Sequence, residues 1–530
     1  GFDGSAGTAV VTMDSAALWT DSRYFLAAEK QLEGTSFQLM RLKVKGTPTI
    51  ARWLADKLKD TNAQVGVDGM CNNVSSVENL IHELRRQGGI TVRTNFDPLN
   101  EIWKDRPAIP DHKIEVYPMK YAGETALSKM RRVRATLCDM GADGMLVSAL
   151  DDIAWLLNLR GTDVHCNPVF VAYLLLSTDK ATLFIDKAKL TPQVEEYLKA
   201  QDVGMESYDK VGEGLREYFE YNILLDPEET SYTLYNIIAS ADSKAYAKSI
   251  VRHASPIPAM KAVKNDVEIA GYHNAMLRDG VAMVKFLKWL KPAVAEGGQT
   301  EMSVDRKLTA LRAEQSLFRG ISFDTIAGYD AHGAIVHYEA TPETDAALEP
   351  EGLLLLDSGA QYEDGTTDIT RTIPLGPVTE EMRRVYTLVL KGHIQLELAK
   401  FPDGAAGTQI DALAREAMWR EGMNFLHGTG HGVGSYLNVH EGPHQIRMEY
   451  MPAPLRAGMT VTDEPGLYLE GKFGVRHENT LLIRPYMQTE FGDFLQMEPL
   501  TLCPLSRERS RRGQEVPLPP SIRCPPSLLL

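Results

Sequence analysis

Residues 10–21, VVTMDSAALWTD, return as LLSTDKATLFID at 175–186, a constant offset of 165. Asp14 aligns with Asp179, Leu18 with Leu183, Trp19 with Phe184 and Asp21 with Asp186. Further on, VGVD at 65–68 aligns with ILLD at 223–226 at an offset of 158, a change that a seven-residue loop deletion explains. Each copy reads as a strand, a turn at Asp-Ser or Asp-Lys, a second strand, a helix and another strand. Two related α/β domains therefore fill the first half of the chain. The second copy opens with the amphipathic helix ALSKMRRVRATLCDMG and the strand GMLVSAL, which have no counterpart in the first. By the offset, about 40 or more residues are expected to be missing ahead of Gly1.

A third domain begins near Met260. There, AVKNDVEIAGYHNAMLRDGVAMVKFLKWL places Met276, Val281, Met283, Val284, Leu287 and Leu290 at helical spacing, and Pro292 is expected to end the helix. The expected division is 1–122, 123–258 and 259–505, with a tail at 506–530. The tail, SRERSRRGQEVPLPPSIRCPPSLLL, has no usable period and reads as disordered or frame-shifted, with a basic localisation signal as the minor alternative.

Net charge is −15 and the pI about 5.4, which argues against a nucleic-acid partner. No apolar run approaches the length of a membrane span, and LLLL at 353–356 has the length of a buried strand. Five cysteines (Cys71, Cys138, Cys166, Cys503, Cys524) are scattered, with the spacing of neither a disulfide framework nor a thiolate metal site. A reducing, cytoplasmic setting is expected.

The chemistry lies in the second half. Asp357 ends the apolar run LLLLDSGA, and Asp368 follows eleven residues later in GTTDITRT. A hairpin turning at Glu363, Asp364 and Gly365 can set the two aspartates side by side. His431 lies in HGTGHGVG, Glu464 in TDEPGLY and Glu478 in VRHENTLL. Taken singly, each has a blander explanation as a turn, cap or solvated residue. Together they are four carboxylates and an imidazole, and four carboxylates share a pocket only when cations neutralise them. This hard, oxygen-rich set suits two divalent ions of the manganese or cobalt type. Two such ions lower the pKa of water and clamp a carbonyl oxygen, so metal-assisted hydrolysis is the expected chemistry.

Other residues complete the picture. Arg476, two residues before Glu478 on the same strand face, can pair with the carboxylates. His337 in GAIVHYEA and His440 in NVHEGPH are candidates to stabilise an oxyanion or shuttle a proton. His427 is a substrate-contacting or supporting group; the glycines around it and the lack of HExxH argue against a zinc helix.

Together, these motifs resemble the aminopeptidase P (Xaa-Pro aminopeptidase) family, of the long three-domain cytosolic type. That family lies within the creatinase, prolidase and methionine aminopeptidase group. The resemblance runs from Gly1 to about Pro504 through GFDGSAG, WTDSRYFLAAEKQL, DDIAWLLNLRG, NPVF, VHYEATPET, LLLLDSGAQYEDGTTDITRT, YTLVLKGHI, HGTGHGVGSYLNVHEGP and TDEPG. It implies two creatinase-like α/β domains followed by a pita-bread catalytic domain, an α/β (α+β) fold. It implies that Asp368 and Glu478 bridge two metals, that Asp357 completes one site, and that His431 and Glu464 complete the other. It implies Mn²⁺ as the ion, a homodimer, and peptides with proline at the second position as substrates. His337 and His440 match its substrate-binding and proton-transfer histidines, and Arg476 and Tyr468 match positions that orient ligands or substrate.

The chain departs from the family at Leu467, where a tyrosine is common, and at His477, where an apolar residue is common. His477 should face away from the metals, by strand alternation. The tail does not resemble the family's C-terminal helices. In the expected mechanism, hydroxide held by the metals attacks the carbonyl before proline, and Glu464 carries the proton to the leaving nitrogen. A prolidase-like dipeptidase and a non-catalytic binding protein on the same fold are the rival readings.

Overall fold

The computed structural model describes residues 1–59, 61–218, 220–240 and 249–505. The tail expected to be disordered lies outside the described residues.

The repeat is structural. In the first unit the strands Thr8–Val11 and Ala16–Thr20 form an antiparallel hairpin, and Phe37–Arg41 adds in parallel after the helix Phe25–Gln31. In the second unit Ala172–Ser177 and Ala181–Ile185 form the matching hairpin, and Gly204–Glu206 adds in parallel after the helix Pro192–Ala200. The second sheet has six strands. Its strand Gly144–Val147, buried at every position, joins the hairpin to Asn222–Leu225 and, beyond that, to Ser249–Arg252. In the first unit, Gln64–Gly66 and Thr91–Arg93 instead form a two-stranded sheet of their own.

The units meet where their repeated helices begin. Asn73 caps the helix Val74–Gly88 and Ser231 caps Tyr232–Ala239, each side chain accepting from a backbone N–H of the first turn. Across the contact, Val74 N–H donates to the Thr230 carbonyl at 3.1 Å and Tyr232 N–H to the Asn72 carbonyl at 2.9 Å. The reciprocal bonds give the contact a local pseudo-twofold character.

The remaining segment has two halves, each with a pair of helices and a sheet. The first half contains Asp266–Glu296, Glu301–Ala313 and the antiparallel strands Ile326–Tyr329, Leu353–Ser358 and Ile369–Pro374. Asn265 and Glu268 form a capping box that starts the long helix. This helix does not stop at Pro292, as the sequence suggested, but runs on to Glu296. Proline removes a single helical hydrogen bond, and burial of Ala293 and Val294 in the core holds the extra turn. The second half contains Glu380–Glu397, Gly407–Trp419 and a four-stranded sheet in the order Lys400–Pro402, Gly492–Pro499, Asn479–Thr489, Thr460–Asp463.

Buried cations tie the second unit to this segment. Lys261 pairs with Asp151 and Asp152. Arg160 donates to the carbonyls of Tyr436 at 2.6 Å and Ser435 at 3.1 Å. Among the described residues, no helix is long and apolar enough to cross a membrane.

Candidate metal centre

Each candidate ligand lies at a strand end or in a tight crossing between strands. Asp357 is the penultimate residue of Leu353–Ser358 and sits opposite Thr370 in register. Asp368 immediately precedes the partner strand, beyond a turn at Glu363 and Asp364. His431 lies in the short strand Gly430–Gly432. A Cβ at Gly430 would sit 1.9 Å from the Thr462 carbonyl oxygen, so only glycine lets this strand approach Thr460–Asp463. Glu464 follows that strand directly, and Glu478 links Phe473–Arg476 to Asn479–Thr489.

The fold converges these groups. His431 Nε2 lies 3.3 Å from Glu464 Oε1 and 3.5 Å from Asp368 Oδ2. Asp368, His431 and Glu478 each offer a donor atom within 4.8 Å of the other two. Two threonines fix the glutamates: Thr370 Oγ1 donates to Glu478 Oε2 at 2.7 Å, and Thr462 Oγ1 to Glu464 Oε1 at 3.1 Å. Thr462 Oγ1 also accepts from the His431 N–H at 3.0 Å. His431 Nδ1 lies 2.8 Å from the Gly432 carbonyl, which can only accept, so Nδ1 carries the hydrogen and Nε2 is left to face the carboxylates.

The electrostatics show a shortage of positive charge. Burial pushes the Asp357 carboxyl up to about 6, against the pull of Arg476. Burial also raises Asp368, and raises Glu478 well above the ordinary value, reinforced there by the charges of Asp368 and Asp357. Burial opposes the charge on Glu464 too, but hydrogen bonding to His431 wins and holds it at about 2. Conversely, Asp368 and Glu464 overcome burial at His431 and raise it to about 10. Without metal, the cluster thus balances its charge by retaining protons. Asp357 Oδ1 is buried with no hydrogen-bond partner. An orphaned carboxylate oxygen among carboxylates that resist ionisation fits a site for divalent cations.

The supporting residues form one chain. Arg476 donates to Asp357 Oδ2 through Nη2 at 2.6 Å and Nε at 3.2 Å, and through Nη1 to the Tyr468 hydroxyl at 2.8 Å. The Tyr468 hydroxyl lies 2.8 Å from His427 Nε2, and His427 Nδ1 lies 2.7 Å from the Gly428 carbonyl. His427 therefore supports Tyr468 and makes no approach to the carboxylates through Nε2. Burial lowers His427 to about 4, and His337 and His440 to about 3, so all three are neutral near pH 7. The His440 ring stands edge-on to His431 at 4.4 Å between centroids. The five candidate ligands, the three neutral histidines and Arg476 line one cavity of about 1340 Å³; Tyr468 lies behind it.

Sequence reasoning missed the contribution of the first unit. The Tyr24 hydroxyl lies 3.0 Å from His337 Nδ1, and Arg23, paired with Asp21, lines the same cavity. All three belong to WTDSRYF, but nothing in their spacing assigns them to a site 313 residues away. Thr370 and Thr462 were equally invisible as partners of the candidate ligands Glu478 and Glu464. Leu467 joins the apolar core beside Leu353 and Phe473, and His477 is buried against Tyr386 with 4.3 Å between ring centroids.

Metallopeptidase family M24 matches residues 270–485, and the creatinase/prolidase N-terminal domain matches twice, over 1–98 and 105–268. The chain is 41% identical to a probable Xaa-Pro aminopeptidase P of Neosartorya fischeri, over 96% of this chain and 79% of the relative. It is also 41% identical to aminopeptidase P2 of Arabidopsis thaliana, over 95% of this chain and 75% of the relative. The crystal structure of an X-prolyl aminopeptidase from Caenorhabditis elegans, described as a cytosolic enzyme with a di-nuclear active site, superposes with a TM-score of 0.91. That likeness comes at 33% identity over 97% of this chain and 84% of the other. The two α/β units and the two-halved domain behind them are thus the creatinase-like and pita-bread folds expected from the sequence. The chain belongs to metallopeptidase family M24, in its Xaa-Pro aminopeptidase P group.

Proposed function

We propose that this chain is a metal-dependent aminopeptidase that hydrolyses the bond between an N-terminal residue and a following proline. The observation that carries this reading is the convergence of four carboxylates and His431 in one cavity. The alignment with the named aminopeptidases P along nearly the whole chain supports the substrate class.

In this reading Asp368 and Glu478 would be shared by two divalent ions, Asp357 would complete one site, and His431 and Glu464 would complete the other. The oxygen-rich set suits Mn²⁺. When bound, the ions supply Lewis acidity at the scissile carbonyl and lower the pKa of water. Glu464 takes the proton from the attacking water and passes it to the prolyl nitrogen as the C–N bond breaks. The hydroxyl of Tyr24 fixes the His337 ring, and neutral His337 and His440 donate hydrogen bonds to the substrate carbonyl as its oxygen gains charge. Arg476, Tyr468 and His427 keep Asp357 oriented. Proline offers no N–H, so the cavity must recognise its ring by shape.

A cytoplasmic setting and a homodimer belong to the same proposal; the C. elegans neighbour is described as cytosolic. So does the division at 1–122, 123–258 and 259–505. The test compares cleavage of Xaa-Pro dipeptides with that of Xaa-Pro-Pro tripeptides by the metal-loaded protein. Efficient cleavage of the tripeptide is expected. Cleavage of dipeptides alone would replace this reading with a prolidase, and cleavage of neither by folded, loaded protein would favour a binding role.

A further inference from the structure

We infer that His165, Cys166 and Asp324 form a second metal site, for a divalent ion of the zinc class, at the seam between the second α/β unit and the catalytic domain. The three side chains each offer a donor atom, and these atoms lie within 4.8 Å of one another. His165 Nε2 and Asp324 Oδ1 are already 2.9 Å apart. None of the three belongs to the centre described above.

The donor chemistry differs from that of the catalytic centre. One thiolate, one imidazole and one carboxylate are a mixed set that selects borderline-soft ions over Mn²⁺ or Mg²⁺. Donors around a tetrahedral zinc are spaced by roughly 3.3–3.7 Å, so the widest pair must close by about 1.5 Å at most, while His165 and Asp324 must open slightly. The exposed partners can make that move, since the His165 and Asp324 side chains are 73% and 52% exposed. Cys166 supplies the fixed point. It is half-buried, and its carbonyl accepts from Gln361 Nε2 at 3.1 Å, while the same amide group donates to the Leu437 carbonyl at 2.8 Å. The cysteine of the second unit is thereby pinned to the catalytic domain.

A redox role fits less well. Burial and the charge of Asp324 push the Cys166 thiol up to about 12, which suppresses the thiolate that oxidation and exchange require. A bound cation reverses this balance: the thiol loses its proton to solvent and the sulfur becomes a ligand. Three protein ligands leave a fourth position for water. Asp324 also lines the catalytic cavity, so an ion held there clips the two domains together at that cavity's edge.

The test uses the holoenzyme with its catalytic ions in place, titrated with Co²⁺. The catalytic centre has no sulfur ligand, so thiolate-to-cobalt charge-transfer absorption reports the second site alone. One equivalent of Co²⁺ is expected to develop the band, and Zn²⁺ to abolish it. Cys166→Ser should remove the band and leave peptidase activity on an Xaa-Pro-Pro peptide unchanged. His165→Gln, at an exposed position that does not threaten folding, should weaken Co²⁺ binding by about tenfold or more. Zn²⁺ should raise the melting temperature of the wild type and not that of Cys166→Ser. Absence of the band in the wild type, or its persistence in Cys166→Ser, would overturn the proposal.

Discussion

Replacing Arg476 with methionine keeps the length of the side chain but removes the guanidinium that binds Asp357. The arginine side chain is 2% exposed, and two of its nitrogens reach Asp357 Oδ2 while a third reaches Tyr468. A guanidinium and a carboxylate with charge centres about 4 Å apart attract by roughly 4 kcal/mol at an effective dielectric near 20. Removing one partner of a buried pair costs about 3–5 kcal/mol, because the other charge stays buried and unpaired. For a catalytic domain of this size, that corresponds to a fall of roughly 6–20 °C in its melting transition. The assay is thermal unfolding of wild type and Arg476→Met, each stripped of metal and then reloaded with Mn²⁺. The full loss is expected in the stripped variant and a much smaller one after reloading, when the ions neutralise the carboxylates instead. An unchanged midpoint in the stripped variant would refute the reasoning. Equal losses with and without metal would show that Arg476 acts independently of the ligand charge.

Glu464→Gln should keep the fold and lower turnover of an Xaa-Pro-Pro peptide by about 10²–10⁴-fold; a near-wild-type rate with both ions loaded would remove Glu464 from proton transfer. His477→Leu should raise the melting temperature, because both imidazole nitrogens are buried without partners and each unsatisfied group costs about 1–3 kcal/mol. A lower midpoint in that variant would point to an undetected partner for His477. Lys129 is buried, bonded to the Trp155 carbonyl at 2.9 Å and to Asn158 Oδ1 at 2.7 Å, and burial lowers its ammonium to about 7 from an ordinary 10.5. Between those values the unfolded chain binds the proton more than the folded one, so wild-type stability rises with pH across that window. Relative to Lys129→Met, the wild type should gain up to about 1.4 kcal/mol per pH unit between pH 7 and 9; a difference that does not change with pH would contradict this.

The parts of this molecule that were legible in its sequence are those whose signal is local or repeated. The 165-residue offset carries the strand Ala16–Thr20 onto Ala181–Ile185 residue for residue, because both copies keep the same hairpin and the same following helix. The hairpin that places Asp357 beside Asp368 was readable from an apolar run, a turn at Glu363 and Asp364, and a second run. Pro292 misled because a helix boundary depends on what the next turn buries, and Ala293 and Val294 bury well. Tyr24 could not be connected to His337 by any periodicity, since the contact exists only when the first unit closes over the catalytic domain. The same holds for Cys166: spacing rules find ligands that are near in sequence, whereas His165 and Asp324 are 159 residues apart.

The most direct test is release of the N-terminal residue from an Xaa-Pro-Pro peptide by metal-stripped protein, before and after addition of Mn²⁺. The account predicts no release from the stripped protein and restored release after two equivalents of ion bind. Equal release with and without metal, or none from folded protein shown to carry two ions, would contradict it.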